Sequence, residues 1–178
     1  MRIIAGTAKR MRLVVPRVRG LRPTSDAMRE TLFNVLADCI VGARFLDLFA
    51  GCGAVGLEAL SRGAQWCTFV DVSPKCRRAI RENLERMRFA GRAEVIRADA
   101  RAAVERLGER EPYHIAFADP PYGYEPLGEL VAALLGQQRA WPNGAVVAVQ
   151  HDREAIMPDD PSPTRVKHFG RTVMSFYW

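Results

Sequence analysis

Four cysteines in 178 residues, with no C-x-x-C spacing, provide neither a disulfide framework nor a zinc site. Cys39, Cys52 and Cys67 fall in or beside apolar segments, so free thiols in a reducing cytoplasm are expected. Histidine is scarcer still: His114, His151 and His168 show no H-x-x-x-H spacing, and a metal hydrolase finds no support. No apolar run approaches the about 18–20 uninterrupted residues that span a bilayer. The opening MRIIAGTAKRMRL has no apolar segment of signal-peptide length, which predicts a chain that is not exported. Internal repeats and low-complexity tracts are missing as well.

What is present is an ordinary globular balance, 48% hydrophobic and 26% charged, in a length suited to one compact domain. The formal net charge is +6, and it is concentrated at one end. Residues 1–40 hold eight Lys/Arg (Arg2, Lys9, Arg10, Arg12, Arg17, Arg19, Arg22, Arg29) against three acids, a net of +5. The remaining residues are close to neutral. A basic arm on a neutral body points to a polyanionic partner, most simply nucleic acid. Residues 1–40 are therefore read as a basic extension and residues 41–178 as the body of the same domain.

Along the chain, Arg2–Ala5 and Met11–Val15 read as two short strands of a hairpin, which must lean on something larger. After the break Gly20-Leu21-Arg22-Pro23, Thr24-Ser25-Asp26 offers N-cap side chains, and Met28, Leu32, Leu36 and Ile40 recur at helical spacing. Arg29, Glu30, Phe33 and Asn34 fall partly off that stripe and are candidates to face a site. From Arg44 the pattern alternates. Apolar runs at Phe45–Phe49, Cys67–Val70, Ala93–Ile96, Ile115–Ala118 and Ala145–Val149 suit buried parallel strands. Helical stretches lie near Val55–Ser61, Pro74–Met87, Ala100–Leu107 and Leu127–Leu135, with Arg77, Arg78, Arg81, Glu82 and Glu85 forming a solvated face of the second. An open, doubly wound α/β sheet is predicted, closed by an antiparallel hairpin of Val166–Phe169 and Thr172–Tyr177.

Two constellations carry chemistry. Gly51, Gly53 and Gly56 fit G-x-G-x-x-G between a strand and a helix, and Asp71 ends the following strand. Such glycines let backbone approach a bound nucleoside, and such an acid accepts hydrogen bonds from ribose hydroxyls. NAD-binding domains share this arrangement. The second constellation separates the cofactors: Asp119-Pro120-Pro121-Tyr122 follows the strand Ile115–Ala118 directly. Two prolines stiffen the turn and fix the Asp119 carboxylate, the Pro120 carbonyl and the Tyr122 ring relative to one another. Two acceptors and an aromatic face suit a planar exocyclic amine.

Asp-Pro-Pro-Tyr after DLFAGCGAVG resembles the amino methyltransferases that use S-adenosylmethionine. RIIAG, RPTSDAMRETLFNVL, LDLFAGCGAVGLEALSRGA and the closing FGRTVMSFYW resemble the RsmD family over essentially the whole chain. That resemblance implies a Rossmann-like methyltransferase fold and methylation of a guanine N2 amine in small-subunit (16S) rRNA, free or in an assembling 30S particle. It implies cofactor contacts at Asp47, Phe49, Gly51, Gly53, Asp71, Asp99 and Ala100, and base contacts at Asp119, Pro120 and Tyr122. Asn34 is a candidate lining residue, and Lys9, Arg10, Arg12, Arg22 and Arg29 are candidates for RNA phosphate. No metal is expected, and the chain is read as a monomer. Departures from the family pattern lie at Lys9-Arg10-Met11-Arg12, at Asp26-Ala27 and at Cys52. Adenine N6 or cytosine N4 in DNA or RNA is the alternative substrate, and an NAD-dependent oxidoreductase is the alternative enzyme class.

Overall fold

The computed structural model describes residues 1–18, 24–137 and 140–178. Its centre is a seven-stranded sheet formed by β1 (Arg44–Leu48), β2 (Trp66–Val70), β3 (Ala93–Ile96), β4 (Ile115–Ala118), β5 (Val146–Asp152), β6 (Arg165–Phe169) and β7 (Thr172–Tyr177). Their order across the sheet is β3-β2-β1-β4-β5-β7-β6. The first five strands pair in parallel, and β7 lies antiparallel between β5 and β6. Helices α1 (Asp26–Val35), α2 (Ala54–Ser61), α3 (Pro74–Arg86), α4 (Ala100–Glu105) and α5 (Leu127–Gly136) complete the predicted alternation.

The central strands are apolar on both faces because both faces are covered. Phe45, Phe69, Ile115 and Phe117 enter one core with residues of α1, α2 and α3. Leu46, Leu48, Ala116 and Ala118 point the other way, onto Val104 of α4 and Leu130, Val131 and Leu134 of α5. Ser25 caps α1 by accepting from Met28 N–H, and Ser73 caps α3, whose first residue is Pro74. Helix α1 is shorter than its apolar stripe suggests: it ends at Val35, and Ile40 reaches the core after a turn.

The N-terminal hairpin forms with a single antiparallel bridge, Arg2 to Arg12, in place of two strands. Ile3 N–H donates to Met11 O, Arg10 N–H to Ile3 O and Leu13 N–H to Met1 O across it, and other amides turn to the body. Ile4 and Ala5 N–H donate to Glu58 Oε2 and Oε1 at 2.8 and 2.9 Å, Ala8 N–H to Ser61 Oγ at 2.9 Å, and Val14 N–H to Asn83 Oδ1 at 2.8 Å. The extension thus leans on α2 and α3, and side-chain carboxylate, hydroxyl and amide groups supplement its short ladder. Glu58, fully buried, also receives Arg29 Nη1 at 3.4 Å and Arg62 Nε at 2.8 Å. Two further departures bear on the site. Strand β5 runs on past Val149 through Gln150, His151 and Asp152, because β7 supplies antiparallel partners at Met174, Val173 and Thr172. Arg77 leaves the solvated face of α3 and donates to Asp71 O and Val72 O, bracing the loop after β2.

Candidate active site

The loop after β1 turns sharply. Phe49 holds a positive φ of 60°, Gly51 57° and Gly53 80°, so two of the three reversals fall on glycine. Gly56 serves a different need: a Cβ there would stand 2.3 Å from the Phe69 ring and 2.6 Å from Cys67 Sγ, so α2 reaches β2 only without a side chain. This is the close helix–strand approach expected of the third glycine. Asp47, fully buried, accepts from Gly56 N–H at 2.9 Å. Asp71 accepts from Gly51 N–H at 2.8 Å and Ser73 N–H at 2.7 Å, tying the loop after β1 to the loop after β2. Each oxygen of Asp71 retains accepting capacity for a hydroxyl. Asp99 caps α4 through Arg101 N–H at 2.9 Å.

These groups and the Asp-Pro-Pro-Tyr turn line one cavity of about 530 Å³ at the carboxyl edge of the sheet. Its wall includes Asp47, Phe49, Gly51, Asp71, Asp99, Ala100, Asp119, Pro120 and Tyr122, so the two sequence constellations meet in one space. Gly53 opens α2 just behind the wall. Four aspartates line the cavity, and no Lys, Arg or His does so among the described residues. Burial pushes the Asp47 carboxyl up to about 8, with Asp119 and Asp71 adding repulsion and the Gly56 amide opposing. Such a cavity rejects phosphate and favours a cation, which relieves carboxylate repulsion. The positively charged sulfur and ammonium of S-adenosylmethionine match that field, and the Asp71 and Asp99 carboxylates suit its hydroxyl and amine donors.

The far side of the same turn borders a second cavity, of about 640 Å³, which shares Asp119, Pro120, Pro121, Tyr122, Tyr124, Gln150 and Thr172 with the first. Asp119 stands in the wall between them. Desolvation pushes its carboxyl up to about 7, opposed by hydrogen bonds from Thr24 and Gln150. Thr24 Oγ1 donates to Asp119 Oδ2 at 3.0 Å, bringing the N-terminal extension into the site. Tyr122 is half exposed, with its hydroxyl 2.8 Å from Thr172 Oγ1. Tyr124 sets its ring edge-on to Phe49 at 5.2 Å.

Lys9, Arg10 and Arg12 are exposed on the hairpin, as a phosphate contact requires. Arg29 is a correction: its side chain is fully buried, 2.7 Å from Asp26 and paired with Glu58, out of reach of any phosphate. Asn34 is a second correction: it is exposed and lies outside the cavity lining, because α1 presents its N-terminal end, at Thr24, Ser25 and Met28, to the cavity. Phe33 is likewise core, stacked on Phe45 at 6.4 Å. Arg22 lies outside the described residues. Sequence reasoning missed Thr24, Gln150, Tyr124 and Thr172. A polar residue ending an apolar strand at the carboxyl edge was the available signal for Gln150; for Thr24 there was none beyond its capping neighbourhood.

Comparison with known proteins agrees with this fold. The small-subunit rRNA methyltransferase D of Escherichia coli K12 is 39% identical over 163 residues, covering 91% of this chain and 80% of that one. Its namesake in Haemophilus influenzae is 32% identical over 179 residues, covering 99% and 93%. The solved structure of yhhF from Escherichia coli superposes with a TM-score of 0.84 at 37% identity, covering 99% of this chain and 96% of that one. The family model described as Conserved hypothetical protein 95 matches residues 1–178. The glycine loop, the stiff proline turn and the whole-length match together place the chain in that family, the RsmD family of methyltransferases.

Proposed function

We propose that this chain transfers a methyl group from S-adenosylmethionine to the exocyclic N2 amine of a guanine in small-subunit rRNA. One observation carries the reading: the Asp119-Pro120-Pro121-Tyr122 turn faces the same cavity as the glycine loop and its acids. The strand order supports it further, since β7 runs antiparallel between β5 and β6, whereas dinucleotide-binding sheets continue in parallel. The relatives named as small-subunit rRNA methyltransferases support the RNA class.

S-adenosylmethionine supplies a methyl already activated by the positive charge on its sulfur. The protein's task is placement. Guanine N2 is a weak nucleophile because its lone pair is delocalised into the ring. Asp119 and the Pro120 carbonyl accept its two N–H groups, favouring a more tetrahedral nitrogen with the lone pair aimed at the methyl. Orientation of this kind contributes several kcal/mol, up to about 7–11 in ideal cases. Asp119 need not be a strong base, because N2 becomes acidic only as the N–C bond forms. Asp119, or water beside it, then takes the proton. The Tyr122 ring stacks on a base drawn out of its helix and offsets an unstacking cost of a few kcal/mol.

Residues 1–40 act in this reading as the RNA-binding extension of the catalytic body, with Lys9, Arg10 and Arg12 meeting phosphate as a monomer engages the particle in the cytoplasm. The test is methyl transfer to small-subunit particles lacking the modification, followed by nucleoside identification. N2-methylguanosine is expected. N6-methyladenosine or N4-methylcytidine as the sole product would replace this substrate with another amine, and no product on RNA at all would discard the reading.

A further inference from the structure

We propose that Gln150 reads the ring edge beside the reacting amine, accepting the N1–H of guanine while Asp119 accepts from N2. The inference rests on the guanine-N2 reading above and adds to it a residue that determines specificity. Gln150 sits on β5 beside the proline turn, lines both cavities and is more than nine-tenths buried. Ala118 pairs with Val149, so Gln150 stands beside Asp119 at the ends of neighbouring strands, and it favours the ionised carboxyl as a donor does; the Thr24 hydroxyl donates to the same group. A carboxylate accepts and does not donate, so Gln150 must present its Nε2 to Asp119. That choice fixes the amide's other end. Oε1 is left as an acceptor, and it is buried with no hydrogen-bond partner among the described residues. Buried acceptors of this kind call for a specific explanation, and a donor on the ligand supplies one.

The chemistry of the base selects among amines. Guanine carries two adjacent donors on this edge, N1–H and N2–H. Adenine beside N6, and cytosine beside N4, offer a ring nitrogen whose lone pair would face the lone pairs of Oε1. Turning the amide over to suit them would set its oxygen against the Asp119 carboxylate. Asp119 and Gln150 therefore form a paired acceptor that matches guanine and disfavours the alternatives.

The experiment uses reconstituted small-subunit particles whose rRNA carries, at the mapped position, guanosine or 2-aminopurine riboside. The latter keeps the 2-amine but has a lone pair in place of N1–H. Single-turnover transfer by the full chain is expected to favour guanosine by about ten- to a hundredfold. In Gln150→Leu that preference should shrink about tenfold, whereas Gln150→Glu, which keeps an acceptor, should retain it and shift the pH profile upward through the added carboxylate. Equal slowing of both substrates in Gln150→Leu, or loss of the preference in Gln150→Glu, overturns the assignment and leaves Gln150 as a support for Asp119. A wild-type product other than N2-methylguanosine instead defeats the underlying reading, and the two failures are told apart by the nucleoside formed.

Discussion

Asp119 and Asp71 line the same cavity yet are set to different work by their partners. Asp119 is desolvated, gripped by Thr24 and placed between two cavities; Asp71 spends its bonds on two loop amides and faces only the first. Asp119→Ala should lower the single-turnover rate by about a hundredfold or more while calorimetry finds cofactor affinity largely kept. In the wild type the rate should fall as the pH drops below about 7, because the protonated carboxyl gives up an accepting site. A rate that stays flat over about 1.5 pH units either side of that value would exclude an ionised Asp119 as the acceptor. Asp71→Ala should do the reverse, raising the dissociation constant for the cofactor with less effect on the rate at saturation. An unchanged affinity would remove its ribose role.

At the scale of elements, one buried carboxylate gathers several of the contacts that join the N-terminal extension to the body, with Ser61 and Asn83 holding others. The fully buried Glu58 of α2 accepts two hairpin amides and the guanidinium of Arg29. Glu58→Ala takes from Arg29 its fully buried partner, leaving Asp26, and strips two hairpin amides of their acceptor, a change worth about 3–5 kcal/mol. The thermal midpoint should drop by roughly 6–20 °C, and hydrogen exchange should quicken first at Ile4 and Ala5. Uniform exchange across the chain would mean that the hairpin is held by other contacts. On the proposed function, replacing its exposed Lys9, Arg10 and Arg12 together with Gln should weaken RNA binding and reduce the salt slope by about 2–3 if each meets a phosphate. An unaltered slope would move the RNA surface elsewhere.

Over the whole molecule, stability and ligand affinity oppose one another through charge. Asp47 and Asp119 titrate at about 8 and about 7 in the folded chain, well above an unfolded aspartate near 3.9. The folded state therefore holds protons that the unfolded state has released. Their stabilising contribution is complete below about pH 4 and is lost as the pH rises through 7 and 8. Asp47→Asn should thus raise the thermal midpoint of the free protein at pH 8, by about 2–4 °C for each kcal/mol relieved, while weakening S-adenosylmethionine binding. A lower midpoint at that pH would show that the Gly56 amide needs the charged acceptor. Among the described residues no helix is long and apolar enough to cross a membrane.

The alternation of strands and helices, the glycine loop, Asp71 and the stiff Asp119 turn were legible in the sequence because each is specified locally: by period, by turn chemistry, by residues a few positions apart. The assignment of Arg29 and Asn34 to the site was not, since helical spacing alone does not say which side of α1 meets α2 and which end meets the cavity. Thr24 and Gln150 lie 95 residues before and 31 after Asp119, and only the pairing of β5 with β4 and the folding of the extension against the body bring them to one carboxylate. Local chemistry in the chain determined what kind of pocket could form. The tertiary packing decided which distant polar groups would border it, because burial and partner choice depend on neighbours that sequence proximity does not supply.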